Sequence, residues 1–132
     1  MQDYNTSKVA GTPVTFEVRQ NNRLIDTQTI SLGSGGSYTL ELSVTGLVEV
    51  RAKASHWLAQ WQLVEIPGIA NFSLPNGDIT NDNAVNVLDY AQMKASYNKI
   101  NVGNHPADLN GDYNINVLDY LLLKKNYNKL GE

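Results

Sequence analysis

A five-residue stretch, Asn-Val-Leu-Asp-Tyr, occurs twice in this chain of 132 residues. It occupies residues 86–90 and, thirty positions later, residues 116–120. A Tyr-Asn-Lys triplet follows each copy at the same offset. Chance is a poor explanation for this many matches at one offset. We therefore interpret residues 77–100 and 107–130 as two copies of one structural unit.

Each copy carries oxygen-bearing side chains at alternate positions. In the second copy Asp108 begins a loop in which positions 1, 3, 5, 7, 9 and 12 are all Asp or Asn. Calcium takes about six to eight oxygen ligands, and an EF-hand loop supplies them from these positions, with a backbone carbonyl at 7 and often a water at 9. The spacing predicts two Ca²⁺ ions, held by Asp78, Thr80, Asp82, Ala84, Asn86 and Asp89 in the first copy and by Asp108, Asn110, Asp112, Asn114, Asn116 and Asp119 in the second.

Both loops depart from an ordinary EF-hand. Thr80 offers a neutral hydroxyl at position 3, so the first loop is expected to bind more weakly or through a water. Position 6 is Asn83 or Tyr113 instead of glycine, and only Asn tolerates the left-handed conformation well. Gly111 lets the second loop bend between ligands. Position 12 is Asp instead of Glu, which requires the following helix to approach the ion more closely.

One amphipathic helix follows each loop, over about residues 87–97 and 117–129, and no helix precedes either loop. A unit of this size has little core of its own. Calcium binding is therefore expected to contribute to folding itself.

Residues 1–75 have a different pattern, in which apolar and polar residues alternate. The alternation is clear in residues 13–19, 38–44 and 47–53, and residues 24–32 and 60–66 are further strand candidates. Gly- and Asn-rich turns separate these segments. The pattern predicts a small antiparallel β-sandwich over residues 1–75, followed by a helical, calcium-binding unit over residues 76–132.

Composition excludes several functions. The net charge is −3 with no basic patch, which argues against nucleic acid as a partner. No apolar run is long enough to insert in a membrane, and we recognise no signal peptide. Cysteine is absent, and neither of the two histidines belongs to a nucleophile motif. The acidic clusters are already explained as metal ligands, so no enzymatic activity is predicted.

The two copies resemble dockerins, the calcium-dependent modules that dock into cohesins in cellulosomes. The resemblance rests on Asp-x-Asn-Gly-Asp at residues 108–112 followed by Ile-Asn-x-x-Asp at residues 115–119. Residues 77–89 are similar to the first repeat of type II dockerins. A β domain directly followed by a dockerin also resembles the X-module–dockerin pairs of cellulosomes, in which the X module is Ig-like. The β part is similar as well to carboxypeptidase-regulatory-like sandwiches.

The resemblance implies a cohesin partner, carried by a scaffoldin or a cell-surface anchoring protein, in an extracellular complex that degrades polysaccharides. It implies that the β domain packs on the dockerin. Loop positions 10 and 11 bear on cohesin choice, and the Val-Leu pair found there in both copies is nearer to type II. Internal packing of these pairs is an equal alternative, and two docking orientations are conceivable. The implied partner contacts are Val87, Leu88, Met93, Lys94, Val117, Leu118, Leu123, Lys124 and Lys125.

Two other functions remain open at this point. Trp57 and Trp61, beside His56, could form a sugar-stacking platform of a carbohydrate-binding module, although burial in the sandwich or at a domain seam is favoured. The chain could also be a structural or anchoring cap of a non-cellulosomal extracellular protein, in which the dockerin-like unit binds only its own β domain.

Overall fold

The computed structural model describes all residues from 1 to 132. Four strands precede two helices in the chain. Neither helix has the length and apolar character that crossing a membrane requires. The elements are β1 (Pro13–Gln20), β2 (Arg23–Ser31), β3 (Gly46–Ala54), β4 (Gln60–Ile66), α1 (Val87–Ser96) and α2 (Val117–Asn126), with short 3₁₀ turns at Thr6–Lys8 and Ser34–Gly36.

The four strands form one antiparallel sheet in the order β2-β1-β3-β4. Alternate residues of the two central strands point to the same side, as period-two alternation requires. Phe16 and Val18 of β1 are buried there beside Val50 and Ala52 of β3. The predicted fold class, an antiparallel β domain followed by a helical unit with two loop–helix repeats, is confirmed.

The second layer of the β domain is not a hydrogen-bonded sheet. Residues 38–44, predicted as a strand, join no ladder. Their apolar side chains are half-buried and pack on the core, and the Tyr38 ring stacks on Phe16 with centroids 4.5 Å apart. The alternation therefore identified the correct buried side. It could not show whether a neighbouring strand edge was in reach to pair with.

A second hydrophobic core holds the two repeats together. Each helix is ten residues long and buries only a narrow stripe, with Met93 and Leu123 at its centre. Both helices end before the predicted residue because Tyr97 and Tyr127 adopt non-helical ψ values of 143° and 138°. The next residues, Asn98 and Asn128, adopt left-handed φ values of 64° and 66°. The core consists of Leu58, Ile79, Val85, Met93, Ala107, Leu109, Ile115 and Leu123.

The loop of each repeat is hydrogen-bonded to the end of the other repeat's helix. Val85, which is fully buried, donates to the Lys129 carbonyl and accepts from the Asn128 amide, both at 2.8 Å. Ile115 makes the equivalent pair of 2.8 Å bonds with residues 98 and 99. The two repeats are therefore related by an approximate twofold rotation, and each completes the other's backbone pairing.

The β domain packs closely on the helical unit, as predicted. Leu58, in the connection between β3 and β4, is 1% exposed and belongs to the core of the repeats. Asn76 is fully buried and makes hydrogen bonds to three separate segments of the chain. Its side chain bonds His56 at 2.9 Å and donates to the Leu109 carbonyl, and its carbonyl accepts from Asn126 at 2.8 Å.

His56 is a neutral hydrogen-bonding residue of this seam. Burial removes it from water and lowers its pKa to about 4, although the bond to Asn76 opposes the shift. Because the Asn76 amide nitrogen donates elsewhere, its oxygen is the acceptor, and His56 Nδ1–H is the donor. His56 is therefore structural, which agrees with the absence of a nucleophile motif around it.

Replacing Leu58 with Ala should destabilise the repeats even though Leu58 lies in the β domain. Truncating a buried Leu costs about 2–5 kcal/mol of the free energy of unfolding. Urea unfolding, followed by tryptophan fluorescence and far-UV circular dichroism, measures this loss in the free energy of unfolding. Leu63→Ala is the matched control because Leu63 is 65% exposed, and its effect should stay within about 0.5 kcal/mol. Equal losses of stability for the two variants would contradict the placement of Leu58 in the core of the repeats.

Candidate metal centres and the helix faces beside them

Three carboxylates converge in the first loop. Oxygen atoms of Asp78, Asp82 and Asp89 all lie within 4.8 Å of one another. Asp78 and Asp89 are fully buried, whereas Asp82 is exposed. A donor set made only of carboxylate oxygens suits a hard divalent cation such as calcium. The residues predicted at positions 1, 5 and 12 are thus brought together.

Backbone N–H groups hold these carboxylates in place. Asp78 accepts from the amides of Asp82 and Asn83, each at 3.0 Å. Asp89 accepts from the Thr80 amide at 2.9 Å and from the Asn86 amide at 2.7 Å. The Thr80 hydroxyl, predicted as a ligand, donates to Asp89 at 3.0 Å. The first loop therefore has a defined shape of its own, and ligation by its individual residues stays a prediction.

The second loop repeats this bonding pattern. Asp108 accepts from the amides of residues 111, 112 and 113 at 2.9, 3.1 and 2.8 Å. Asp119 accepts from the amides of residues 109, 110 and 116 at 2.8, 3.2 and 2.9 Å. The Asn110 side chain bonds Asp112 at 3.0 Å. Side-chain oxygens of the predicted positions 1, 3, 5 and 12 therefore belong to one network in this loop as well.

The residues at positions 9 and 12 also begin each helix. Asn86 and Asn116 are the N-caps of α1 and α2, and they accept from the amides of Leu88 and Leu118. Asp89 and Asp119 complete a capping box by accepting from the cap amides. Only a water-holding role was predicted for the two Asn residues. The Asn-x-x-Asp spacing ahead of an apolar run was the available signal for the cap.

Two positions in each loop adopt the left-handed conformation. Position 4 is Asn81 or Gly111, with φ of 63° and 74°, and position 6 is Asn83 or Tyr113, with φ of 67° and 70°. The predicted bend at Gly111 and the predicted strain at Tyr113 are both confirmed. The Lys8 ammonium lies 3.3 Å from the centre of the Tyr113 ring, a cation–π contact that offsets part of that strain.

Comparison with family models identifies the C-terminal unit. Residues 76–128 match the dockerin type I domain. This segment is a dockerin domain. Dockerin domains generally bind calcium, and they are docking modules without catalytic activity of their own. The first loop fits that property because it brings three carboxylates together, and the second carries carboxylate and amide side chains at the equivalent positions.

Solved structures show the fold of the whole chain. Two chains of type II cohesin–X-dockerin complexes from Acetivibrio cellulolyticus match 97% of this chain over 90% of their own length. A C-terminal interface mutant gives a TM-score of 0.70 at 16% identity, and an N-terminal interface mutant gives 0.68 at 18%. Comparison with curated proteins gave no match. The resemblance to an X module followed by a dockerin is confirmed.

Burial shifts the pKa of two dockerin carboxylates. It raises the pKa of both Asp78 and Asp119, because a charged group loses solvation when it is buried. For Asp78 the Lys53 ammonium, 3.1 Å away, opposes this rise. Burial also lowers the pKa of Lys53, and Asp78 opposes that shift in turn. A divalent cation would relieve the desolvation of both aspartates.

Most of each dockerin helix faces outward. Val87 and Leu88 are 62% and 56% exposed, and Val117 and Leu118 are 51% and 52% exposed. Internal packing, the alternative explanation for these pairs, is therefore wrong. The predicted polar contacts Lys94, Lys124 and Lys125 are exposed as well.

Two of the predicted partner contacts need correction. Met93 and Leu123 are each 1% exposed and form the centre of the dockerin core. Their position on the helix places them in the narrow buried stripe, because they lie four residues after Asp89 and Asp119. They lie beneath the exposed helix faces and are not accessible to a partner.

Four tyrosines mark the approximate twofold axis of the dockerin. The rings of Tyr90 and Tyr120 meet across the two helices, with centroids 6.1 Å apart. Tyr97 and Tyr127 are each 40% exposed at the helix ends. The surface around the axis is therefore aromatic and similar in both repeats.

The two tryptophans do not form a sugar platform. Trp57 is 1% exposed and packs against His56, with ring centroids 3.7 Å apart. The Arg19 guanidinium lies 4.5 Å from the centre of the Trp61 ring and covers it. The carbohydrate-binding alternative through Trp57 is therefore wrong. Burial in the β domain or at the seam, the favoured interpretation, is confirmed, since Trp57 belongs to the core of the β domain.

Glycine should be preferred over alanine at position 6 of both loops. We expect Tyr113→Gly to be more stable than Tyr113→Ala, and Asn83→Gly more stable than Asn83→Ala, by about 1 kcal/mol, because Ala is strained at positive φ. Denaturant unfolding of the four variants measures the two differences. At Gln92, exposed in α1, Gly should instead be less stable than Ala by about 1 kcal/mol. The same sign at all three positions would contradict the loop conformation.

Proposed function

We propose that this chain is a calcium-dependent docking module that binds a cohesin of type II through the outer faces of its two helices. The observation that carries the proposal is the exposure of a Val-Leu pair at the same place in each repeat. Helices of globular domains usually bury an apolar stripe against a core. Here each helix buries three residues and leaves further apolar residues outside, a pattern typical of a protein-binding surface.

Calcium fixes the orientation of these faces. Each loop would hold one ion through the carboxylates at positions 1, 5 and 12, which makes two ions in all. The Asp at position 12 belongs to the first turn of its helix, so an ion bound there ties the loop to the helix start. The Val-Leu pair occupies the two positions that follow the N-cap. The docking residues therefore directly precede the metal-binding Asp within the same helical turn.

The apolar character of the Val-Leu pairs bears on the type of cohesin. The family model that matches bears the type I name, whereas both matching structures come from type II complexes. An apolar pair at loop positions 10 and 11 is closer to the type II pattern. We therefore favour a type II cohesin of a scaffoldin or a cell-surface anchoring protein, in an extracellular cellulosome-type complex.

The β domain, residues 1–75, acts in this proposal as an X module that supports the dockerin, residues 76–132. The seam supplies the support through Leu58 in the dockerin core and through buried hydrogen bonds on Asn76. An interface ordered before binding lowers the conformational entropy that docking must remove.

Removing calcium should lower the melting temperature of the protein. Ions that bind only the folded loops add a stabilisation of about 2.7 kcal/mol for each site filled at a hundred times its dissociation constant. Differential scanning calorimetry in millimolar calcium and in excess chelator measures the shift. Magnesium at equal concentration is the control for ionic strength. Identical melting curves in calcium and in chelator would contradict metal binding by the loops.

Charged substitutions in the Val-Leu pairs should weaken cohesin binding. Leu88→Asp and Leu118→Asp put a charge where apolar contact is expected, and Asp near a helix N-terminus is compatible with the helix. We expect a loss of at least ten-fold for the double variant. If one orientation dominates, one single variant reproduces this loss. If both orientations are used, neither does.

Calorimetric titration against a panel of type I and type II cohesins, with and without chelator, measures this. Leu24→Asp is the matched control, because Leu24 is 51% exposed on an edge strand of the β domain and should leave affinity unchanged. Binding to type I cohesins alone would overturn the type assignment. Calcium binding without affinity for any cohesin would favour the structural-cap alternative.

A further inference from the structure

One side chain of the β domain enters the first calcium loop. Lys53, near the end of β3, is only 16% exposed, and its ammonium lies 3.1 Å from Asp78 Oδ2. The same ammonium donates to the Ala54 carbonyl at 2.7 Å and to the Asn81 side chain. All three of its N–H groups are therefore directed at acceptors, two of them in the loop. Lys53 therefore makes direct contacts within the first loop although it lies in the β domain.

The second loop has no such cation on its carboxylates. The nearest lysine there, Lys8, donates to the Gly111 carbonyl at position 4, which is not a ligand position. Asp108, the counterpart of Asp78, accepts only from three backbone amides. The two loops are alike in backbone and in number of carboxylates. Apart from their neutral residues at positions 3 and 7, the ligand positions of the two loops differ in this one neighbouring charge.

We propose that Lys53 lowers the calcium affinity of the first loop and makes that affinity depend on contact with the β domain. The inference rests on the proposed function, since it assumes that calcium binds both loops. A unit positive charge in contact with a ligand carboxylate repels a divalent ion and competes for the same oxygen atoms. The second loop then fills at lower calcium concentration than the first.

The opposite effect, in which Lys53 helps calcium by ordering the loop, is the weaker alternative. Asp78 is already fixed by two backbone amides and Asp89 by two more. The second loop reaches the same shape, with left-handed residues at the same positions, without a lysine on Asp108. Because the first loop does not need the Lys53 ammonium to hold its shape, the main effect of the ammonium on an incoming ion is electrostatic.

Lys53 also has a role when calcium is absent. Asp78 is fully buried, and burying an unpaired carboxylate is strongly unfavourable. The ammonium supplies the missing positive charge and holds the seam closed. Calcium and Lys53 are therefore alternative partners of one carboxylate, and each weakens the hold of the other by the same factor.

The test is a calcium titration of the whole chain in a chelator buffer, followed by two-dimensional amide NMR. The Asn83 amide reports on the first loop and the Tyr113 amide on the second, because each donates to the Asp at position 1 of its own loop. Lys53→Met keeps the apolar stem and removes the charge. We expect it to raise the affinity of the first loop on the order of ten-fold and to leave the second within about two-fold.

Two control variants separate charge from packing. Lys53→Arg restores the charge and should return the first loop toward its original affinity. Arg51→Met removes a positive charge two residues away on the same strand, together with its ion pair to Glu17 and a bond to the Glu132 carbonyl, and Arg51 bonds no carboxylate of either loop. This variant should leave the calcium affinities of both loops within about two-fold of those of the unmodified chain. Lys53→Met should also lower the melting temperature more without calcium than with it.

The outcomes distinguish this inference from the function on which it rests. If neither loop of the unmodified chain binds calcium, the proposed function and the role of Lys53 are both overturned. If both loops bind but Lys53→Met leaves the first-loop affinity unaltered or lowers it, only the role of Lys53 is overturned. Equal changes at Asn83 and Tyr113 would overturn it as well, because the effect would then be general and not confined to one loop.

Discussion

The structure of the C-terminal half depends on two buried aspartates, Asp89 and Asp119. Each is fully buried, and each accepts hydrogen bonds from backbone amides of its loop and from the N-cap of its helix. One carboxylate thus joins the start of the loop to the start of the helix. A buried charge with amide donors on one side and neighbouring carboxylates on the other leaves a place for one cation. The loop geometry, the helix start and metal binding are therefore consequences of the same residue.

The two halves of the chain are joined by buried polar contacts as much as by apolar ones. Leu58 contributes to the dockerin core, but Asn76 and His56 fix the angle between the domains because their hydrogen bonds are directional. Asp3 and Lys125 add an ion pair at the rim of the same seam, 2.8 Å apart. Such an interface aligns the exposed helix faces relative to the sheet, which a flexible linker would not do.

The repeat made the calcium loops and both helices predictable from sequence. Ligands for a hard cation must recur at fixed positions, and the two copies carry the same residue at four of the six positions. The strands were predictable to the extent that alternation sets which side is buried. The pairing of residues 38–44 was not, because ladder formation depends on a neighbour supplied by the tertiary fold.

The roles of single side chains were predicted less well. Met93 and Leu123 follow the same apolar pattern as the exposed pairs, and only the packing direction of the helices separates the two groups. The position of Lys53 beside Asp78 joins residues far apart in sequence, so no local pattern contains it. Contacts of this kind follow from the angle between the domains, which neither half encodes alone.

The reciprocal backbone pairing at Val85 and Ile115 bears on the origin of the duplication. A solitary copy of the unit would lack the partners that this amide and this carbonyl have in the other copy. Two identical copies on separate polypeptides could meet the same requirement by associating about a twofold axis. Fusion of such a homodimer into one chain would conserve every one of these bonds, and each copy would then be free to diverge at its surface while the shared pairing stayed unchanged.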